Sequence, residues 1–115
     1  MTSSVELGNT YTIYQGDSTT PVRFRVNGID VSTCTCKQVV RTDLNATADI
    51  DATVTDTVTI DSVEWFRVSL SPTQTTGLAA DREYFWIHEI DCPSASPVQR
   101  YEVHHKLIVK PQGAT

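Results

Sequence analysis

The chain has 115 residues, with 14 Asp and Glu against 9 Lys and Arg, a formal net charge of −5 and 39% hydrophobic residues. That length fits one compact domain with one core, and the composition is neither polar enough for a disordered chain nor oily enough for a membrane protein. The longest apolar runs, Tyr84 to Ile87 and Leu107 to Val109, fall far short of the roughly 18 residues a membrane helix needs, and the acidic balance offers nucleic acid and anionic lipid no long-range attraction.

The N-terminal MTSSVELGNT has no basic residue and no apolar stretch, so no secretory signal is expected and residues 1–10 read as an extended arm. With 17 Thr, 13 Val and 7 Ile, few helix formers and no helical apolar stripe, the chain predicts an all-β fold. The first strand run is Tyr11 to Gln15, closed by Gly16-Asp17. The second is Pro21 to Val26, with Val22, Phe24 and Val26 opposite Arg23 and Arg25. After the Asn27-Gly28 turn signal, Ile29 and Val31 lead into Cys34 to Arg41, whose Cys34, Cys36, Gln38 and Val40 are expected to face inward.

Residues 42–49 read as a loop, followed by one alternating run from Ile50 to Ile60 with a turn or bulge at Asp56. Glu64 to Leu70 places Phe66, Val68 and Leu70 on one face and leaves Trp65 exposed with Arg67. A short helical turn is expected near 73–79, capped by Ser71 or Thr73, with Pro72 at its start and Gly77 limiting its length. Glu83 to Cys92 and Val98 to Val109 form a long hairpin, and 111–115 a tail. The first of that pair is apolar on both faces, Tyr84, Trp86 and Ile90 against Phe85 and Ile87, so both faces need cover, from the 42–49 loop or from another subunit.

The residues that carry chemistry are few. Three cysteines cannot all pair within one chain, and Cys34 and Cys36 are too close along one strand to bridge, so reduced thiols acting as small apolar side chains are expected, in keeping with assembly inside a cell. A zinc site drawing on Cys34, Cys36, Cys92, His88, His104 or His105 lacks the usual C-x-x-C knuckle. His105 and His88 read as core imidazoles with a hydrogen-bonded partner, and His104 as surface. No nucleophile signature accompanies any Ser or Cys, so no enzyme is expected. Asp49, Asp51, Asp56 and Asp61 lack the order of a calcium loop, and the dispersed glycines give no phosphate cradle. Asn45-Ala46-Thr47 matches a glycosylation sequon by chance. Arg23, Arg25, Lys37 and Arg41, with Tyr14 and Trp65, could form a basic aromatic face, although an ordinary solvated sheet face explains them more simply.

The order of these signals resembles a family: small immunoglobulin-like proteins of tailed bacteriophage particles, related to the attachment domain of baseplate upper proteins. The resemblance runs through YTIYQGDSTTPVRFRV at 11–26, the Ile29-Asp30-Val31 step, LSPTQT at 70–75, REYFWIHEID at 82–91 and LIVKP at 107–111. The chain departs from the pattern by placing Cys34, Cys36 and His88 where larger aliphatic or aliphatic residues are usual. The resemblance implies an antiparallel β-sandwich of seven to eight strands serving as a non-enzymatic structural part of the virion, at the tail, baseplate or fibre attachment, or as head decoration. It implies no cofactor. Its partners would be other virion proteins and copies of itself, with no nucleic acid, membrane or small-molecule substrate, and it would be made in the bacterial host cytoplasm. The candidate interface residues are Trp65, Phe85, Ile87, Tyr14 and Arg67. The rival reading is a recognition module that binds cell-surface carbohydrate through Trp65 or Tyr14.

Overall fold

The computed structural model describes residues 2–95 and 97–112. The alternating runs become eight strands: β1 (Thr2–Tyr14), β2 (Val22–Phe24), β3 (Thr35–Arg41), β4 (Ile50–Val54), β5 (Thr57–Ile60), β6 (Val63–Val68), β7 (Arg82–Cys92) and β8 (Gln99–Lys110). A single helical turn, α1 (Pro72–Thr76), links β6 to β7. They form two sheets, one of five strands in the order β1-β8-β7-β3-β4 and one of three in the order β2-β6-β5. This is the arrangement of an immunoglobulin-like sandwich. Every neighbouring pair is antiparallel except β1 with β8, which run parallel.

Residues 2–10, read as an arm, are the first part of β1 and lie alongside β8. The tail expected at 111–115 falls mostly outside the described residues, as does Ser96 in the loop between β7 and β8. The single run expected from Ile50 to Ile60 is two strands. It breaks at Thr55-Asp56, so that β4 pairs with β3 in one sheet and β5 with β6 in the other. Alternation alone cannot reveal this, because a strand that changes sheet keeps its period of two. Asp61 and Ser62, both with positive φ (52° and 66°), make the two-residue link between Ile60 and Val63, the backbone that a tight hairpin demands.

The core fills the space between the sheets. Phe24, Phe66 and Val68 enter from the smaller sheet and Val40, Trp86 and Leu107 from the larger. Leu70, Ile90 and Leu107 are fully buried, and each such side chain contributes about 1.5–3 kcal/mol. The Trp86 indole N–H donates to Gln38 Oε1 at 3.0 Å, and the Gln38 amide donates to the Ser69 carbonyl at 2.8 Å. One buried side chain thus satisfies the indole and ties β3 to the end of β6. At α1, Ser71 and Gln74 form a reciprocal capping box and Gly77 closes the turn.

Two further sequence expectations need correction. Cys34 and Cys92 form a disulfide, with Cα atoms 4.3 Å apart, and only Cys36 remains a free, buried thiol. The partner of Cys34 lies on a different strand. Thr35 pairs with Asp91, so the next position along each strand brings Cys34 opposite Cys92, a neighbourhood set by register and invisible in spacing along one strand. Ile87, for which the 42–49 loop or a second subunit was expected as cover, is only 5% exposed within the single chain and so needs no second subunit. It lies between Val39 of β3 and His104 of β8, and Val39 is buried with it.

β1 bulges between Leu7 and Thr10, and the His105 ring occupies the space so formed. A methyl group placed on Gly8 would overlap that ring, while the Asn9 N–H donates to His105 Nδ1 at 3.0 Å. Gly8→Ala is therefore expected to lower stability by about 1–3 kcal/mol. The combination with His105→Ala should recover part of that loss, and an additive double mutant in urea unfolding would show that the clash is relieved elsewhere. Reducing the Cys34–Cys92 bridge, which spans 58 residues, is expected to cost about 4 kcal/mol through the entropy of the opened chain. Urea midpoints with and without dithiothreitol test this; a change below about 1 kcal/mol would remove loop closure as its contribution.

Candidate functional site

The outer face of the three-stranded sheet is built by the pairing of β2 with β6, which sets Arg23 opposite Arg67 and Phe24 opposite Phe66. Since the phenylalanines are buried, alternation turns Arg23, Arg25, Trp65 and Arg67 outward. Three guanidiniums side by side repel one another, and the face resolves this in two ways. Arg67 grips Asp56 with two hydrogen bonds, at 2.8 and 3.2 Å; the bond from Arg67 holds the Asp56 carboxyl below its ordinary range. Arg23 and Arg25 instead each place the guanidinium carbon 5.2 Å from the centre of the Trp65 ring, within cation–π range. Neither has a hydrogen-bonded or ion-paired partner among the described residues.

Trp65, expected to be exposed, is therefore half-buried beside these two arginines. The four-residue basic face predicted from sequence divides: Arg23 and Arg25 meet at Trp65, whereas Lys37 and Arg41 belong to β3 in the other sheet. Arg25 also forms a wall shared by two clefts. One, of about 300 Å³, is lined by Ser4, Asn27, Gln99 and Tyr101. The other, of about 340 Å³, carries Asp30 and Glu64.

The five candidate interface residues likewise fall on two opposite faces. Trp65 and Arg67 share the smaller sheet; Phe85, Ile87 and Tyr14 lie on the outer face of the larger one. That face is laced with charge. Glu89 receives Lys37 at 3.3 Å and Arg100 at 2.9 Å, and Glu102 receives Arg100 at 3.3 Å and His104 at 3.0 Å. Burial works to raise the Glu102 carboxyl, but the hydrogen bonds from His104 and Arg100 hold it below its usual range. Phe85 is half-buried and Ile87 buried, so Ile87 offers little surface to a partner.

Sequence reasoning missed the edge of this sheet. β1 is an outermost strand, every residue from Ser4 to Thr10 is exposed, and Val5 and Leu7 are 62% and 85% exposed. The signal was present as alternation in Ser4-Val5-Glu6-Leu7, cut short by Gly8-Asn9 before it reached strand length.

The three cysteines and the two core histidines are buried or engaged. Cys34 and Cys92 are joined, and burial, with the Glu89 carboxylate adding to it, pushes the Cys36 thiol up to about 12, far from a nucleophile. Among the described residues no three His, Cys, Asp or Glu side chains are grouped to hold a metal ion. His88 and His105 both sit in the core, ring centres 4.5 Å apart, within an aromatic cluster of Tyr11, Phe24 and Trp86. His105 has the hydrogen-bonded partner expected of a core histidine, but among the described residues neither ring nitrogen of His88 has one. Burial, reinforced by His105, drives the His88 pKa down to about 3, and burial lowers that of His105. In comparison with known proteins, the sequence matches no family model and no curated protein.

His88 makes stability depend on pH in a definite direction. Between its folded pKa of about 3 and an unfolded value of about 6.5 the unfolded chain binds the extra proton, so the His88 contribution is complete above about pH 6.5 and declines as pH falls toward 3. His88→Leu is expected to unfold within about 1 kcal/mol of the parent at pH 7, because it removes polar atoms that have no partner. It should also lose less stability between pH 6.5 and 4. Equal slopes for parent and variant in urea titrations would show that His88 is not the acid-sensitive group.

Proposed function

We propose that this chain is a non-enzymatic structural part of a tailed bacteriophage particle, acting through protein–protein contacts with other virion proteins and with copies of itself. The observation that carries the reading is the β1 edge. A 13-residue strand at the rim of the five-stranded sheet projects Val5 and Leu7 into solvent. Natural sheet edges are commonly guarded by lysine, proline or inward charge; from Ser4 to Tyr14 this one carries no Lys, Arg or Pro, and its only ionised side chain, Glu6, accepts a hydrogen bond from Tyr101. Such an edge suits pairing with a neighbouring chain by strand addition.

Further support comes from where the family-like segments lie in the fold. The 11–26 segment spans the end of β1, its loop and β2, LSPTQT leads into the capped α1, and REYFWIHEID is most of β7. Tail, baseplate or fibre attachment is the preferred location, and head decoration the second. Repetition by symmetry would multiply a modest contact into a durable one.

Quantitative mass spectrometry of particles purified from the source tests the reading. About six to a few tens of copies per particle would mean a ring or fibre mount, and on the order of hundreds would mean head decoration; absence from the particle would overturn the proposal. A folded variant carrying Val5→Asp and Leu7→Asp should enter particles at least about tenfold less often, since desolvating two carboxylates opposes strand pairing. Unchanged incorporation would remove β1 as the contact.

A further inference from the structure

The outer face of the smaller sheet holds an arrangement that strand pairing at β1 does not use. Of the nine basic side chains, Lys37, Arg67, Arg100 and Lys106 are ion-paired. Arg23 and Arg25 have no ion-pair partner among the described residues, although they share one indole, each 5.2 Å from its centre. Arg25 Nε is buried and unpartnered. In a chain with an excess of acids, two unpaired guanidiniums held against one aromatic ring form an oriented anion receptor: the stacked ring restrains the side chains, and the donors of the planar forks stay available for a carboxylate.

The two clefts against Arg25 determine where such an anion would go. On one side Asp30 and Glu64 line the wall, and Arg25 already contributes to holding the Asp30 carboxyl below its ordinary range, after the larger effect of hydrogen bonds from Ser32. Those carboxylates repel an anion. On the other side the cleft of about 300 Å³ is lined by Ser4, Val26, Asn27, Gln99 and Tyr101, a size at the lower end of small-molecule sites. Ser, Asn and Gln both donate and accept hydrogen bonds, as a ligand dense in hydroxyl groups requires. Tyr101 packs one side against Phe24, ring centres 5.4 Å apart, and its hydroxyl is engaged by Glu6, so its contribution to the cleft is the ring.

We infer that Arg25, backed by Arg23 and Trp65, and the cleft of Ser4, Asn27, Gln99 and Tyr101 bind a carboxylate-bearing saccharide unit of an acidic polysaccharide. The carboxylate meets the Arg25 guanidinium, which lines the cleft, and the hydroxyls meet the neutral side chains. A nucleic acid duplex carries one phosphate charge per about 1.7 Å, far denser than a single guanidinium site can match, whereas a polysaccharide with one carboxylate per sugar brings single charges to single sites.

The test uses the full chain and five titrations at low salt, read by calorimetry. Trigalacturonate should bind at least about tenfold more tightly than its methyl ester, which keeps the sugar frame and removes the charge. It should also bind more tightly than triglutamate, which carries carboxylates on a peptide. Arg25→Gln should weaken trigalacturonate at least about tenfold, while Arg82→Gln, which removes a guanidinium far from the cleft, should leave it within twofold. Thermal melting monitored by circular dichroism establishes that both variants fold. Binding that is equal for acid and ester, equal for both arginine variants, or undetectable would overturn the assignment. Tighter binding of triglutamate would overturn the saccharide in favour of an acidic protein partner.

Discussion

The buried indole of Trp86 sets the constraint on which the two sheets depend. An indole N–H enclosed between sheets without an acceptor would cost roughly 1–3 kcal/mol, and Gln38 supplies the acceptor while its own amide reaches the Ser69 carbonyl. Those bonds hold only when β3 and β7 are in their observed register. A slip of one residue would turn Gln38 outward and Val39 inward, leaving the indole unpaired. The same register sets Thr35 opposite Asp91 and so brings Cys34 to Cys92. Polar satisfaction and covalent cross-linking therefore select one pairing, with the hydrophobic core filling in around it.

Around that centre the sandwich packs an aromatic and imidazole cluster in place of uniform aliphatic filling. Phe24 of β2 meets His88 of β7 across the sheets, ring centres 5.7 Å apart, at the strand pair that antibody domains join by a disulfide. His88 is neutral there because burial disfavours its charged form. His105 in turn shapes the backbone outside the core, since its ring needs the gap at Gly8 and its Nδ1 takes the Asn9 N–H. The bulge in β1, and hence the exposure of Val5 and Leu7 on its outer half, thus follows from packing a ring within.

The two outer faces divide the work of the surface. The larger sheet neutralises its charges within a network on Glu89 and Glu102 and presents an open strand edge. The smaller sheet gathers cations around Trp65, of which Arg67 is neutralised by Asp56 and Arg23 and Arg25 are not. One surface suits backbone pairing along a strand edge and the other suits recognition of an anion, with Ser4 of β1 bordering both.

The alternation of β-branched and aromatic residues by itself determined the all-β class, most strand positions and the inward faces of β3 and β6, and local cap signals gave a turn capped at Ser71 or Thr73, because these are local consequences of side-chain period and backbone preference. It also placed His105 and His88 inside. Tertiary structure alone decided which strands become neighbours. That choice splits the Ile50 to Ile60 run between sheets, joins Cys34 to Cys92, buries Ile87 within one chain, and separates Lys37 and Arg41 from the arginines at Trp65. Each depends on contacts between residues distant in sequence, where a period of two fixes the face of a side chain but not what it faces.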